Sequence, residues 1–102
     1  MNFAALLAED RRLVILRCLT EVPGYEANES VLRTGLAHFG HRVPTDTVRA
    51  ELQWLADRDL LAVEKLPASG GDLWLATLTA AGRDVAEGDR VMPGVKRREP
   101  GA

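Results

Sequence analysis

Residues 43 to 61 read VPTDTVRAELQWLADRDLL, and the spacing within this stretch decides the fold. Pro44 suits the first turn of a helix, where its missing N–H is no loss, and the Thr45 hydroxyl can cap free amides there. Val48, Leu52 and Leu55 follow at i, i+4 and i+7, which is one apolar stripe on a helix. Asp59-Leu60-Leu61 closes that helix and opens a strand-like run. Asp59, just past the helix, belongs to a residue type that tolerates the left-handed conformation better than most but less well than Gly. The stretch predicts a helix with one buried face, entered by a Pro/Thr turn and left directly into extended chain.

Upstream, Pro23-Gly24-Tyr25 is a turn signal and Asn28 a good N-cap for a helix from Glu29 to about Phe39. Val31, Leu32, Leu36 and Phe39 supply its core face. Gly35 inside it costs roughly 1 kcal/mol relative to Ala, which fits a close helix crossing at that point. Gly40 is placed as a C-cap glycine, and the short link from Gly40 to Pro44 joins two helices in the helix-turn-helix manner.

Downstream, Leu61–Leu66 reads as a strand, Pro67–Asp72 as a loop and Leu73–Leu78 as a return strand. Trp74, Ala76 and Leu78 share one face of that strand. Thr79 caps a last helix, Ala80 to Glu87, which Gly88 ends. The predicted fold is mainly α with a β-hairpin wing, in the order helix-helix-helix-strand-strand-helix: a winged helix-turn-helix over residues 1–88. Residues 89–102, DRVMPGVKRREPGA, read as a basic, flexible C-terminal tail.

The first helix, Phe3 to Val22, is apolar nearly all round in its second half, where Leu13, Val14, Ile15, Leu16, Cys18 and Leu19 point in most directions. A helix of that kind is buried on every side. Two arrangements satisfy it. Either a second copy covers one face, giving a homodimer through Phe3, Leu6, Leu7, Val14, Ile15 and Cys18, or the remaining helices and the wing wrap it.

One domain of 102 residues can bury a single modest core. No apolar run approaches the roughly 18 residues a membrane helix needs, and the N-terminus is apolar first and charged second, unlike a secretory signal; a cytoplasmic location is expected. Cys18 is the sole cysteine, so no internal disulfide forms. Residues 1–88 carry 9 Lys/Arg against 13 Asp/Glu, a net charge of −4, whereas residues 89–102 carry 4 against 2. Bulk charge therefore gives the domain no long-range attraction to nucleic acid, and any affinity must come from a local patch.

Specific residues carry a family resemblance. Asp10-Arg11-Arg12-Leu13-Val14-Ile15-Leu16-Arg17-Cys18-Leu19 resembles the first-helix pattern D-x-x-R-L-x-I-L-x-x-L of ArsR-like repressors, one residue shorter. Thr47-Val48-Arg49-Ala50-Glu51-Leu52, with Leu55 and Leu60-Leu61, resembles their recognition helix, although Asp59 replaces the usual Gly. Leu78-Thr79-Ala80-Ala81-Gly82 resembles the L-T-x-x-G that follows the wing. RRLVILRCL, PGYEANESVL and MPGVKRR are also similar to a family of small proteins from Mu-like prophages, which brings no biochemical activity with it.

The resemblance implies a phage or prophage transcriptional regulator that binds double-stranded DNA as a homodimer. In such a protein the second motif helix enters the major groove and Lys/Arg contact phosphates. That assigns Thr45, Thr47, Arg49 and Gln53 to the groove, Arg42 to phosphate, and Lys96, Arg97 and Arg98 to the backbone as a basic arm. Against this stand Asp46 and Asp57 on the same outward face, and three acids that cancel the three arginines between Arg42 and Arg58. Trp54 is a candidate protein contact if outward, and half-buried core if it leans on a neighbouring element. The alternative function is a winged-helix protein-interaction module without DNA binding. His38 and His41 lack an assured third ligand, so no metal site is assigned, and no cofactor or small-molecule ligand is expected. No nucleophile–base pair, phosphate loop or paired carboxylate points to an enzyme.

Overall fold

The computed structural model describes residues 2–99. The chain forms α1 (Phe3–Thr20), a short 3-10 turn (Pro23–Tyr25), β1 (Glu26–Asn28), α2 (Glu29–His38), α3 (Thr45–Asp57), β2 (Leu61–Ala68), β3 (Gly71–Leu78) and α4 (Ala80–Glu87). The layout is that of a winged helix-turn-helix. One element is additional to the expected order: β1, which pairs antiparallel with β3 through Ala27 opposite Ala76 and makes a three-stranded sheet in the order β1-β3-β2. Three residues are too few for a period-2 pattern to register, so β1 left no trace in the sequence.

Caps sit where the residue chemistry puts them. The Asn28 side chain accepts from the Val31 amide at the start of α2, and the Thr79 hydroxyl oxygen accepts from the Gly82 amide at the start of α4. At α3 the cap is Pro44 itself, with no side-chain hydrogen bond, and Thr45 is already helical. The hairpin is longer than expected. Pro67 pairs with Asp72 and Ala68 with Gly71, so the six-residue loop shrinks to a two-residue turn. Pro67 is tolerated because β2 is the edge of the sheet, where a missing donor breaks no inner ladder.

α1 is the central helix. Leu13, Val14, Ile15, Leu16 and Leu19 are all buried within the protomer, Ile15 and Leu16 completely. Helices α2, α3 and α4 and strand β3 all pack on it. Wrapping by the rest of the domain is thus how the all-round apolar segment is satisfied. This corrects the dimer assignment of Val14 and Ile15, which have almost no surface left for a second copy. Phe3, Leu6 and Leu7, in the first two turns, remain exposed at 70%, 42% and 40%.

Two close contacts lock the helices to the hairpin. The Thr79 hydroxyl donates to the Asp59 carbonyl (2.7 Å), and the Thr79 amide donates to the Leu60 carbonyl (3.2 Å). Gly82, one turn later, leaves room for that same carbonyl: a Cβ there would lie 1.8 Å from the Leu60 oxygen. The Leu78–Gly82 motif is therefore a device for seating α4 on the corner where α3 becomes β2. Asp59 holds the left-handed conformation expected of it, at φ 59°.

Residues 89–99 return to the body of the domain. Val95 is buried in the core, and its neighbour Met92 packs against the same cluster. The Lys96 amide donates to the Glu9 carbonyl (3.1 Å), which ties the segment to α1. No described helix is long and apolar enough to cross a membrane.

Candidate nucleic-acid interface

α2, the turn and α3 form the helix-turn-helix, and its inner side is apolar. Val48, Leu52 and Leu55 are fully buried, against Leu32 and Leu36 of α2 in the same core. The stripe also contains an acid. Glu51 is 5% exposed and receives Arg11 Nε at 2.8 Å and Arg12 Nε at 3.0 Å, so two arginines of α1 neutralise one buried carboxylate. Lying three residues after Val48 and four before Leu55, Glu51 falls on the apolar stripe. That position was the sequence signal of a buried pair.

Outward on α3 lie Asp46, Ala50, Gln53 and Asp57, all exposed. Thr45 and Thr47 are half-buried at its N-terminal end, and Arg42 is exposed on the turn before it. The Gln53 amide donates to Asp57 Oδ1 at 2.8 Å, so that side chain is tied to a carboxylate on its own face.

Arg49 has a different environment from the one its position suggested. Its Nε and one terminal nitrogen donate to the two oxygens of Glu29, at 2.5 and 2.8 Å, and that same terminal nitrogen donates to the Asp72 carbonyl of the wing. The guanidinium lies 5.2 Å from the centroid of Trp74, whose other neighbour is Lys65 Nζ at 4.5 Å. The Trp74 backbone amide completes the set by donating to Glu29 Oε1 at 3.1 Å. Arg49 hydrogen bonding, supported by the Trp74 amide, holds the Glu29 carboxyl below the usual range although burial pushes the other way. The same bonds raise Arg49 further. An arginine expected to read a base edge instead clamps α2, α3 and the wing together.

Trp54 is half-buried under its own chain. The Arg12 guanidinium lies 3.9 Å from its ring centroid and that of Arg58 3.6 Å. Gly94 presses its backbone onto the ring edge, so closely that a Cβ would come within 2.4 Å of it. Arg12 then donates to the Gly94 carbonyl at 2.8 Å. The ring is occupied by intramolecular contacts, which removes the basis for Trp54 as a protein contact.

The basic arm is separate from this face. Lys96 Nζ stands 3.6 Å from Asp10 Oδ1, on the carboxylate that also meets His41 Nε2 at 2.6 Å. Lys96, Arg97 and Arg98 line a cleft with Asp10, Leu13 and Arg17, and no candidate residue of α3 lines it. Cys18, half-buried, shares a smaller cleft with Phe39 and Glu21; burial first, and Glu21 second, push its thiol pKa up. The structure thus leaves Arg42 and Gln53 exposed, holds Thr45 and Thr47 half-buried at the start of α3, diverts Arg49, and places Lys96–Arg98 beside α1.

No family model matches the chain. Two relatives do. An uncharacterised protein, gp26, of Escherichia phage Mu is 47% identical, with 95% of this chain and 96% of the relative covered. An uncharacterised protein of Haemophilus influenzae (strain Rd) is 41% identical, with 91% of this chain and 92% of the relative covered.

Proposed function

The chain belongs to the family of the phage Mu protein gp26, and from that premise we propose that it is a DNA-binding winged-helix protein, a phage or prophage transcriptional regulator acting as a homodimer. The observation that carries this reading is the uncovered face of α3. Its inner side is sealed into the core, while Asp46, Ala50, Gln53 and Asp57 are all exposed beside the turn that bears Arg42. A helix backed by a rigid core and open on its far side has the form needed to enter a major groove. Arg42, Thr45, Thr47 and Gln53 are its contact residues. Arg49 supports the fold of the interface rather than touching DNA.

The homodimer uses Phe3, Leu6 and Leu7, whose exposure on the first turns of α1 leaves them for a second copy. A dimer with both α3 helices on one side, roughly 34 Å apart, would support the reading, and α3 helices back to back or occluded would count against it.

Titration of a fluorescent random duplex with the full chain, repeated at rising salt, tests the reading. We expect binding at low ionic strength that weakens steeply as counterions are added. No binding where electrostatics is least screened would end it.

A second reading is favoured by one specific observation: Asp46 and Asp57 are exposed on the outer face of α3 and would repel phosphate. On that reading the domain is a protein-interaction module in phage regulation or assembly.

A further inference from the structure

Most cations of this domain already have a partner. Arg11 and Arg12 meet Glu51, Arg49 meets Glu29, Arg83 meets Glu87 and Lys96 meets Asp10. Arg58 lies over Trp54 and donates to its carbonyl. Arg17, Arg33, Arg42, Arg90 and Arg97 form no ion pair among the described residues, and of these Arg33 and Arg42 together line a cleft that holds no acid.

That cleft, about 470 Å³ and open to solvent, lies between the outer side of α2 and the turn into α3. Ser30, Arg33 and Thr34 line it from α2 and Arg42 from the turn, over a floor that includes Val43 and Pro44, and no acid is in its wall. Arg33 is fixed in place. Its Nε donates to the Val43 carbonyl at 3.0 Å, which leaves the two terminal nitrogens of the fork without a hydrogen bond among the described residues. The Thr34 hydroxyl donates to the Ser30 carbonyl at 3.1 Å, while the Ser30 hydroxyl makes no hydrogen bond among the described residues. Ser30 also belongs to the first turn of α2, where the helix dipole favours negative charge.

Two guanidiniums in one acid-free cleft repel each other, and an oxyanion relieves that repulsion. Planar forks joined by hydroxyl donors are the chemistry that holds phosphate. A solvent-open trough suits a phosphodiester that is part of a continuous strand. We infer that this cleft is the anchor for the DNA backbone, with Arg33 and Arg42 on the phosphate and Ser30 beside it. The assignment rests on the DNA-binding reading above and moves its electrostatic contribution off α3, whose outer face carries Asp46 and Asp57.

The test compares full-length wild type with Arg33→Gln/Arg42→Gln, Arg42→Gln alone and Arg90→Gln, an exposed arginine outside the cleft, by fluorescence anisotropy on a random duplex. We expect the double variant to bind at least about 10-fold more weakly, and its salt slope to fall by about 2, one per lost phosphate contact. Arg42→Gln should show about half of the slope change and, since it breaks no internal bond, keeps the test valid if Arg33→Gln disturbs the turn. Arg90→Gln should bind as wild type does. If wild type binds and the double variant matches it, or if Arg90→Gln loses as much, this inference fails while the DNA-binding reading stands. If wild type ignores duplex, both fall; saturation of the Ser30–Thr34 amides by inorganic phosphate in an NMR titration would then mark a small-anion site instead.

Discussion

The two tryptophans sit at two junctions of similar composition and different purpose. Each ring lies between two cations, and at each junction a buried glutamate holds one of them: Arg12 on Glu51 beside Trp54, Arg49 on Glu29 beside Trp74. The Trp54 junction joins α1, α3 and the segment at Gly94, and its carboxylate neutralises two arginines. The Trp74 junction joins α2, α3 and the wing, and its carboxylate takes one arginine and one backbone amide. The first holds the core and the chain end together. The second sets the angle between the helix-turn-helix and the hairpin. A charged residue in this molecule is therefore read from the junction it belongs to, and its place on a helix wheel is a poor guide.

Glu51→Ala should separate the two junctions most sharply. It leaves Arg11 and Arg12 without their counter-charge in a largely buried site, and removal of one partner from such a group costs about 3–5 kcal/mol. Urea denaturation measures it, and a loss below about 1 kcal/mol would show the network to be dispensable. Trp54→Ala comes next, at about 2 kcal/mol, less than full core truncation because the ring is half-buried. It should also release the 92–96 segment, seen as faster amide exchange at Val95 and Lys96; unchanged exchange there would mean that Trp54 is not what holds the segment.

Glu29→Gln should have the smallest effect, about 1–2 kcal/mol for weakened charge-assisted hydrogen bonds. It also carries a pH signature. The folded-state pKa of Glu29 lies below its unfolded value, so its contribution is present above the unfolded carboxylate range and is lost as pH falls through the folded pKa. The stability gap between wild type and Glu29→Gln should close on acidification. A gap that stays constant with pH would mean that the Arg49 pair contributes nothing through charge.

Much of the fold was legible because its signals are local. The Val48–Leu52–Leu55 stripe, the Asn28 and Thr79 caps and the left-handed Asp59 each depend on residues within a turn or two. The site was less legible. Arg49 was assigned to the groove from its place on the flank of a helix resembling a recognition helix, yet its partner Glu29 is 20 residues away and Trp74 lies on the wing. Trp54 stayed open between a protein contact and half-buried core because Gly94, which covers it, lies 40 residues further along the chain; the half-buried reading is the one the structure bears out. The Arg33–Arg42 cleft was not legible because its lining joins α2 to the turn nine residues later, and no local pattern brings the two together.

The sequence by itself determined the four helices and the existence of the hairpin, though not β1 or the hairpin's full length, since hydrophobic period, caps and turn residues act over a few neighbours at a time. Only the tertiary structure decided whether α1 was wrapped by its own domain, which arginines met an acid, and where residues 89–99 lie. Those outcomes depend on side chains brought together across as many as 86 positions, as Asp10 and Lys96 are, and pairing at that distance is fixed by packing of the whole domain rather than by any local pattern.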